Sequence, residues 1–110
     1  MIFDSDGTTT IITQEMASVM ELVKKLEASY DRFKNDNVIV NLTSLKKIPI
    51  EQMVEFLLIS KKHRNSKHSF VIVTNNVDLD EIPDEIVVVP TLQEAYDIIE
   101  MDEIERDLGF

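Results

Sequence analysis

At 110 residues the chain has the length of one domain, and its 44% hydrophobic and 29% charged content suits a globular core better than a disordered or fibrous chain. The absence of cysteine excludes disulfides, thiolate zinc sites and cysteine nucleophiles; no run of 18 apolar residues and no basic-then-apolar leader occurs, which predicts a cytoplasmic protein. The net charge of −10 is uneven: residues 1–77 hold ten Lys/Arg against nine Asp/Glu, and residues 78–110 hold one Arg against twelve Asp/Glu. That surface repels nucleic-acid phosphates and anionic lipid and suits a basic protein partner.

In chain order, Ile2–Asp4 and Thr8–Thr13 are β-branched and extended, and Asp6-Gly7 between them is a hairpin signal, predicting a tip at Ser5–Gly7. From Gln14 to Phe33, the residues Met16, Val19, Met20, Val23, Leu26, Tyr30 and Phe33 recur at helical spacing. Asn35-Asp36-Asn37 breaks that pattern, and Val38–Leu42 reads as a strand covered on both faces. Pro49 opens a second helix, expected to reach Arg64 and to bury Met53, Val54, Phe56, Leu57 and Leu58 in part. Its basic end, Lys61-Lys62-His63-Arg64, complements the C-terminal helix dipole.

Phe70–Val73 and Ile86–Val89 are two further buried-strand runs, separated by the acidic loop Asp78–Glu85. Strands alternating with helices predict an α/β fold: one domain over residues 1–110, with an N-terminal hairpin joined to a mixed, mostly parallel sheet and helices packed on it. Thr91-Leu92-Gln93-Glu94 forms a capping box for the last helix, whose inner stripe is Leu92, Ala95, Tyr96 and Ile99. Met101, Ile104 and Leu108 fall out of phase with that stripe, predicting a bend or an extra helix over 101–110. This apolar tail would dock on the domain itself or join a second copy in a homodimer.

Asp4-Ser5-Asp6-Gly7-Thr8 resembles the D-x-D-G-T nucleophile loop of the haloacid dehalogenase superfamily, and Val71-Ile72-Val73-Thr74-Asn75 resembles that superfamily's second motif. The resemblance implies phosphomonoester hydrolysis, but the rest of the chemistry is missing. No lysine follows Lys67, only Arg106 is basic beyond it, and no acidic pair closes a later apolar strand. A calcium loop at Asp4 and Asp6 likewise lacks its later oxygen ligands. His63 and His68, the two histidines, sit among Lys61, Lys62, Arg64 and Lys67, where positive charge opposes a bound cation. No catalytic residue, cofactor or metal is therefore expected.

The segment NVIVNLTSLKKIPIEQMVEFLLISKKHRNSKHSFVIVTNN resembles the core of STAS domains, the family of bacterial anti-sigma-factor antagonists and transporter regulatory domains. The likeness extends over nearly the whole chain through the element order and the Thr91-Leu92-Gln93-Glu94-Ala95 helix start. It implies a STAS-like, non-catalytic regulatory module that binds a cytoplasmic protein, with no direct contact to nucleic acid or membrane. The family's phosphorylatable D-S-S-G falls on Pro49-Ile50-Glu51-Gln52, which lacks serine, aspartate and glycine, so switching at that site is not expected. The surface the resemblance nominates is the Leu45–Ile50 loop and the following helix: Lys46, Lys47, Glu51 and Glu55 for electrostatic specificity, Ile48 and Ile50 as apolar anchors or helix-entry core contacts. The chain is also similar to small acidic bacterial proteins labelled ribonuclease Z; it lacks that enzyme's histidine cluster, so association with the enzyme, not RNA hydrolysis, is the implication.

Overall fold

A computed structural model describes residues 2–14, 19–45 and 48–109. The chain forms strands β1 (Ile2–Asp6) and β2 (Thr9–Thr13), helix α1 (Val19–Ala28), strand β3 (Asn37–Asn41), helices α2 (Ile50–Met53) and α3 (Leu57–Asn65), strand β4 (Phe70–Val73), strand β5 (Val87–Val89) and helix α4 (Leu92–Asp107). Short 3₁₀ turns occupy Tyr30–Arg32, Val54–Phe56 and Leu79–Glu81. The five strands lie side by side in chain order; β1 and β2 are antiparallel and every other pair is parallel. The α/β class and mostly parallel sheet expected from the sequence are present.

The hairpin tip is Gly7-Thr8, because Asp6 pairs directly with Thr9; Ser5 and Asp6 belong to β1 and not to the turn. Gly7 has φ +60° and Thr8 is not in the left-handed region, which is the pattern of a type II′ turn with glycine at its first central position. Period-two alternation sends β3 and β4 residues to opposite faces. Val38, Val40, Phe70 and Ile72 join Leu22, Leu26, Met53, Phe56 and Ile59 on one side, and Ile39, Val71 and Val73 meet Ala95 and Ile99 on the other. Helices α1 to α3 thus cover one face, while α4 alone crosses the other.

Three local expectations change. The helix over Gln14–Phe33 is shorter: α1 ends at Ala28, Met20 is exposed, and the predicted first turn at Glu15–Ser18 lies outside the described residues. The second helix tightens into a 3₁₀ turn at Val54–Phe56. Since 3₁₀ turns repeat every three residues, Met53, Phe56 and Ile59 line up toward the core at 0, 0 and 3% exposure, and Val54 and Leu58 are turned outward instead of in. The tail forms no separate helix: α4 is one continuous 16-residue helix, opened by Thr91, whose hydroxyl accepts from the Glu94 N–H at 3.1 Å.

Candidate functional site

On the surface nominated by the sequence, Lys46 and Lys47 lie outside the described residues. Ile48 is 4% exposed and its N–H donates to the Asn76 carbonyl, so it fastens the loop to the core and is not presented to a partner. Ile50 is half-buried against the same core. Glu51 and Glu55 are exposed, and no side chain caps α2 at Pro49. The apolar groups actually offered outward are Val54 and Leu58, four residues apart, at 38 and 76% exposure. Leu58 edges a shallow cleft between α1 and α3 with Glu27, Tyr30, Ile59 and Lys62, in which the Lys62 ammonium sits 4.3 Å from the centre of the Tyr30 ring.

A second polar constellation gathers at the N-terminal ends of the parallel strands. Asn37 is 3% exposed; its Oδ1 accepts from the Ser69 N–H at 2.9 Å and its Nδ2 donates to Glu103 at 2.8 Å. Ser69 Oγ donates to Asp102 at 2.7 Å and accepts from Arg106 at 2.8 Å. These bonds dock the second half of α4 onto the sheet without a large apolar contact. Every group has a protein partner, so the arrangement behaves as a fastening.

His63 joins this base from the helix side. It is fully buried, its Nε2 lies 2.6 Å from the Asp36 carbonyl and its Nδ1 lies 2.9 Å from the Tyr30 hydroxyl. A carbonyl only accepts, so Nε2 carries the proton and Nδ1 accepts from Tyr30. Burial, with smaller contributions from His68 and Arg106, pushes the His63 pKa below its ordinary value against the opposing pull of the Asp36 carbonyl. His63 is therefore neutral and inward-facing, and does not contribute charge to the helix end as its sequence neighbours suggested.

The two dehalogenase-like motifs are not brought together. Asp4 is registered through Ile11 and Ile39 to Val71, three strands from β4, a lateral distance of about 14 Å at the usual strand spacing. Asp6 stands at the N-terminal end of β2 and accepts from the Tyr96 hydroxyl at 2.9 Å; Thr74 follows the C-terminal end of β4, buried and accepting from the Asn76 N–H. One phosphate cannot touch both Asp4 and Thr74. Among the described residues, no three His, Cys, Asp or Glu side chains converge to hold a metal ion, and no helix is long and apolar enough to cross a membrane.

Met101, Ile104 and Leu108 occupy the outer side of α4 at 59, 52 and 68% exposure. No protein-family model matches the chain, and no curated protein is significantly similar to it.

Proposed function

We propose that the chain is a non-catalytic protein-interaction module of the STAS type, without phosphorylation switching at the start of α2. The observation that carries this reading is the outward pair Val54 and Leu58 on the helix to which the resemblance points, set between Glu51, Glu55 and Lys62. Two apolar side chains one helical turn apart, rimmed by charges of both signs, have the make-up of a small docking face. Glu51 supplies a carboxylate where the family carries a switchable hydroxyl, so phosphorylation does not switch the charge at this position. The likeness to chains labelled ribonuclease Z makes that enzyme the first partner to test.

The experiment is co-purification from the native cell with wild-type protein and with Val54→Glu and Leu58→Glu, each checked for folding by circular dichroism. A partner captured by the wild type should be lost with both variants, and purified ribonuclease Z should be assayed directly for binding. Retention of the same partner by both folded variants overturns the assignment. Mg²⁺-dependent turnover of a generic phosphate ester, abolished by Asp4→Asn, would overturn the non-catalytic reading itself.

A further inference from the structure

β5 is an edge strand, paired with β4 on one side only. The Thr74 N–H donates to the Val89 carbonyl, so Val89 faces β4; strand alternation then turns the N–H and C=O of Val88 away from the sheet. Along that outer edge runs an open groove lined by Leu79, Ile82 and Ile86, by all three valines of β5, and by Ile98 of α4. Most of these side chains are only partly buried, and Leu79 is 52% exposed.

The charge around the groove has one sign. Residues 78–105 contain eleven Asp/Glu and no Lys or Arg. Asp84 lines the groove, Asp80, Glu81 and Glu85 belong to the same loop, and Glu94 stands one turn before Ile98 on α4. Arg64 reaches the loop, but its guanidinium donates to the Glu85 carbonyl.

We infer that the β5 edge is a docking site for an extended segment of another protein in which apolar side chains alternate with Lys or Arg. The segment pairs with the Val88 peptide groups as a sixth strand, sets its apolar side chains into the groove, and leaves its cations among the acidic rim. Pro90, which has no N–H, ends the edge after three residues, so the site takes a short segment and the side chains carry much of the binding. None of the groove residues belongs to the Val54–Leu58 face, and the site stands or falls independently of it.

A short, dye-labelled peptide of alternating valine and lysine is the probe, titrated with the full chain and followed by fluorescence anisotropy and by amide chemical shifts. Saturable binding is expected, with shifts concentrated at 79–98, weakening severalfold when salt rises from about 50 to about 300 mM, and no binding of the valine–glutamate peptide. Val88→Pro removes an outward N–H without touching the β4 ladder; it should leave the fold intact and weaken binding about tenfold, the scale of one lost hydrogen bond with its partner left unmet. Ile98→Asp provides a second variant outside the strand with the same expected loss. Absence of binding, binding unchanged in both variants, or occupation of the edge by a second copy, seen as a native dimer that Val88→Pro dissociates, would each overturn the inference. Val54→Glu and Leu58→Glu should leave peptide affinity unchanged.

Discussion

The two faces of the sheet are held by different physics. On the side of α1 to α3, fully buried phenylalanines and aliphatic residues interlock, and the one buried polar ring, His63, is enclosed by Tyr30, Phe33 and Phe70. On the other side α4 contributes Ala95 and Ile99 as its buried residues, and its second half is tied down by Glu103, Asp102 and Arg106 bonded to Asn37 and Ser69. Apolar burial tolerates small shifts and is strong in total; hydrogen bonds are weaker individually but fix the helix at one height and angle. The first face supplies stability and the second supplies placement.

Phe56→Ala should separate them most clearly. A fully buried ring removed from the three-helix side costs about 3–5 kcal/mol, read as a lower denaturant midpoint with all protected amides losing protection together. Asn37→Ala should cost about 1–3 kcal/mol, because it leaves the buried Ser69 N–H without its acceptor and takes from Glu103 its shorter bond, leaving only the Thr8 hydroxyl at 3.4 Å. Its signature is local: hydrogen exchange should speed up at 102–107 beyond the global change. Uniform loss across the molecule would mean that α4 is held by Ala95 and Ile99 after all.

The buried histidine gives a pH test. His63 has a lowered pKa in the folded protein, so below its unfolded value of roughly 6.5 the unfolded chain binds a proton that the folded chain refuses. Stability should be flat in this group's contribution above that pH and should fall as pH drops toward the folded value, by at most about 1.4 kcal/mol per pH unit for one proton. His68, Arg106 and Asp36 are the charged or titratable groups acting on it. His63→Gln should remove that part of the slope while lowering stability overall; an unchanged slope would show that the dependence comes from the carboxylates.

The smallest effect runs in the stabilising direction. Lys67 has φ +66°, in the left-handed region, and follows α3 in a Schellman arrangement: its N–H donates to the Arg64 carbonyl and the His68 N–H to the His63 carbonyl. Glycine has no Cβ to strain there, so Lys67→Gly should raise stability by about 1 kcal/mol, measured by thermal or chemical denaturation.

Strands β3 and β4 were legible because each carries a Val-Ile-Val run at the middle of a mostly parallel sheet, where both faces are covered and no polar alternation is needed. The α4 cap was legible because it is local, Thr91 to Glu94. The unbroken run of α4 past Glu100 was not, since periodicity registers apolar side chains and this half is held by polar contacts to Asn37 and Ser69, far away in sequence. The outward turn of Val54 and Leu58, expected from the sequence to be partly buried, follows from one 3₁₀ turn, a change of phase that no residue type announces. His63 was hidden among Lys61, Lys62 and Arg64, which share its segment but not its direction.

That the strands lie in chain order also bears on how the molecule forms. Each strand after β1 pairs with the one before it, so no pairing has to skip a strand, and each parallel closure spans a single crossover, whose entropic cost grows only slowly with its length. Such a sheet can grow one strand at a time as the chain is synthesised, every new strand meeting the edge its predecessor left open. After β5, α4 folds back across β3, β4 and β5.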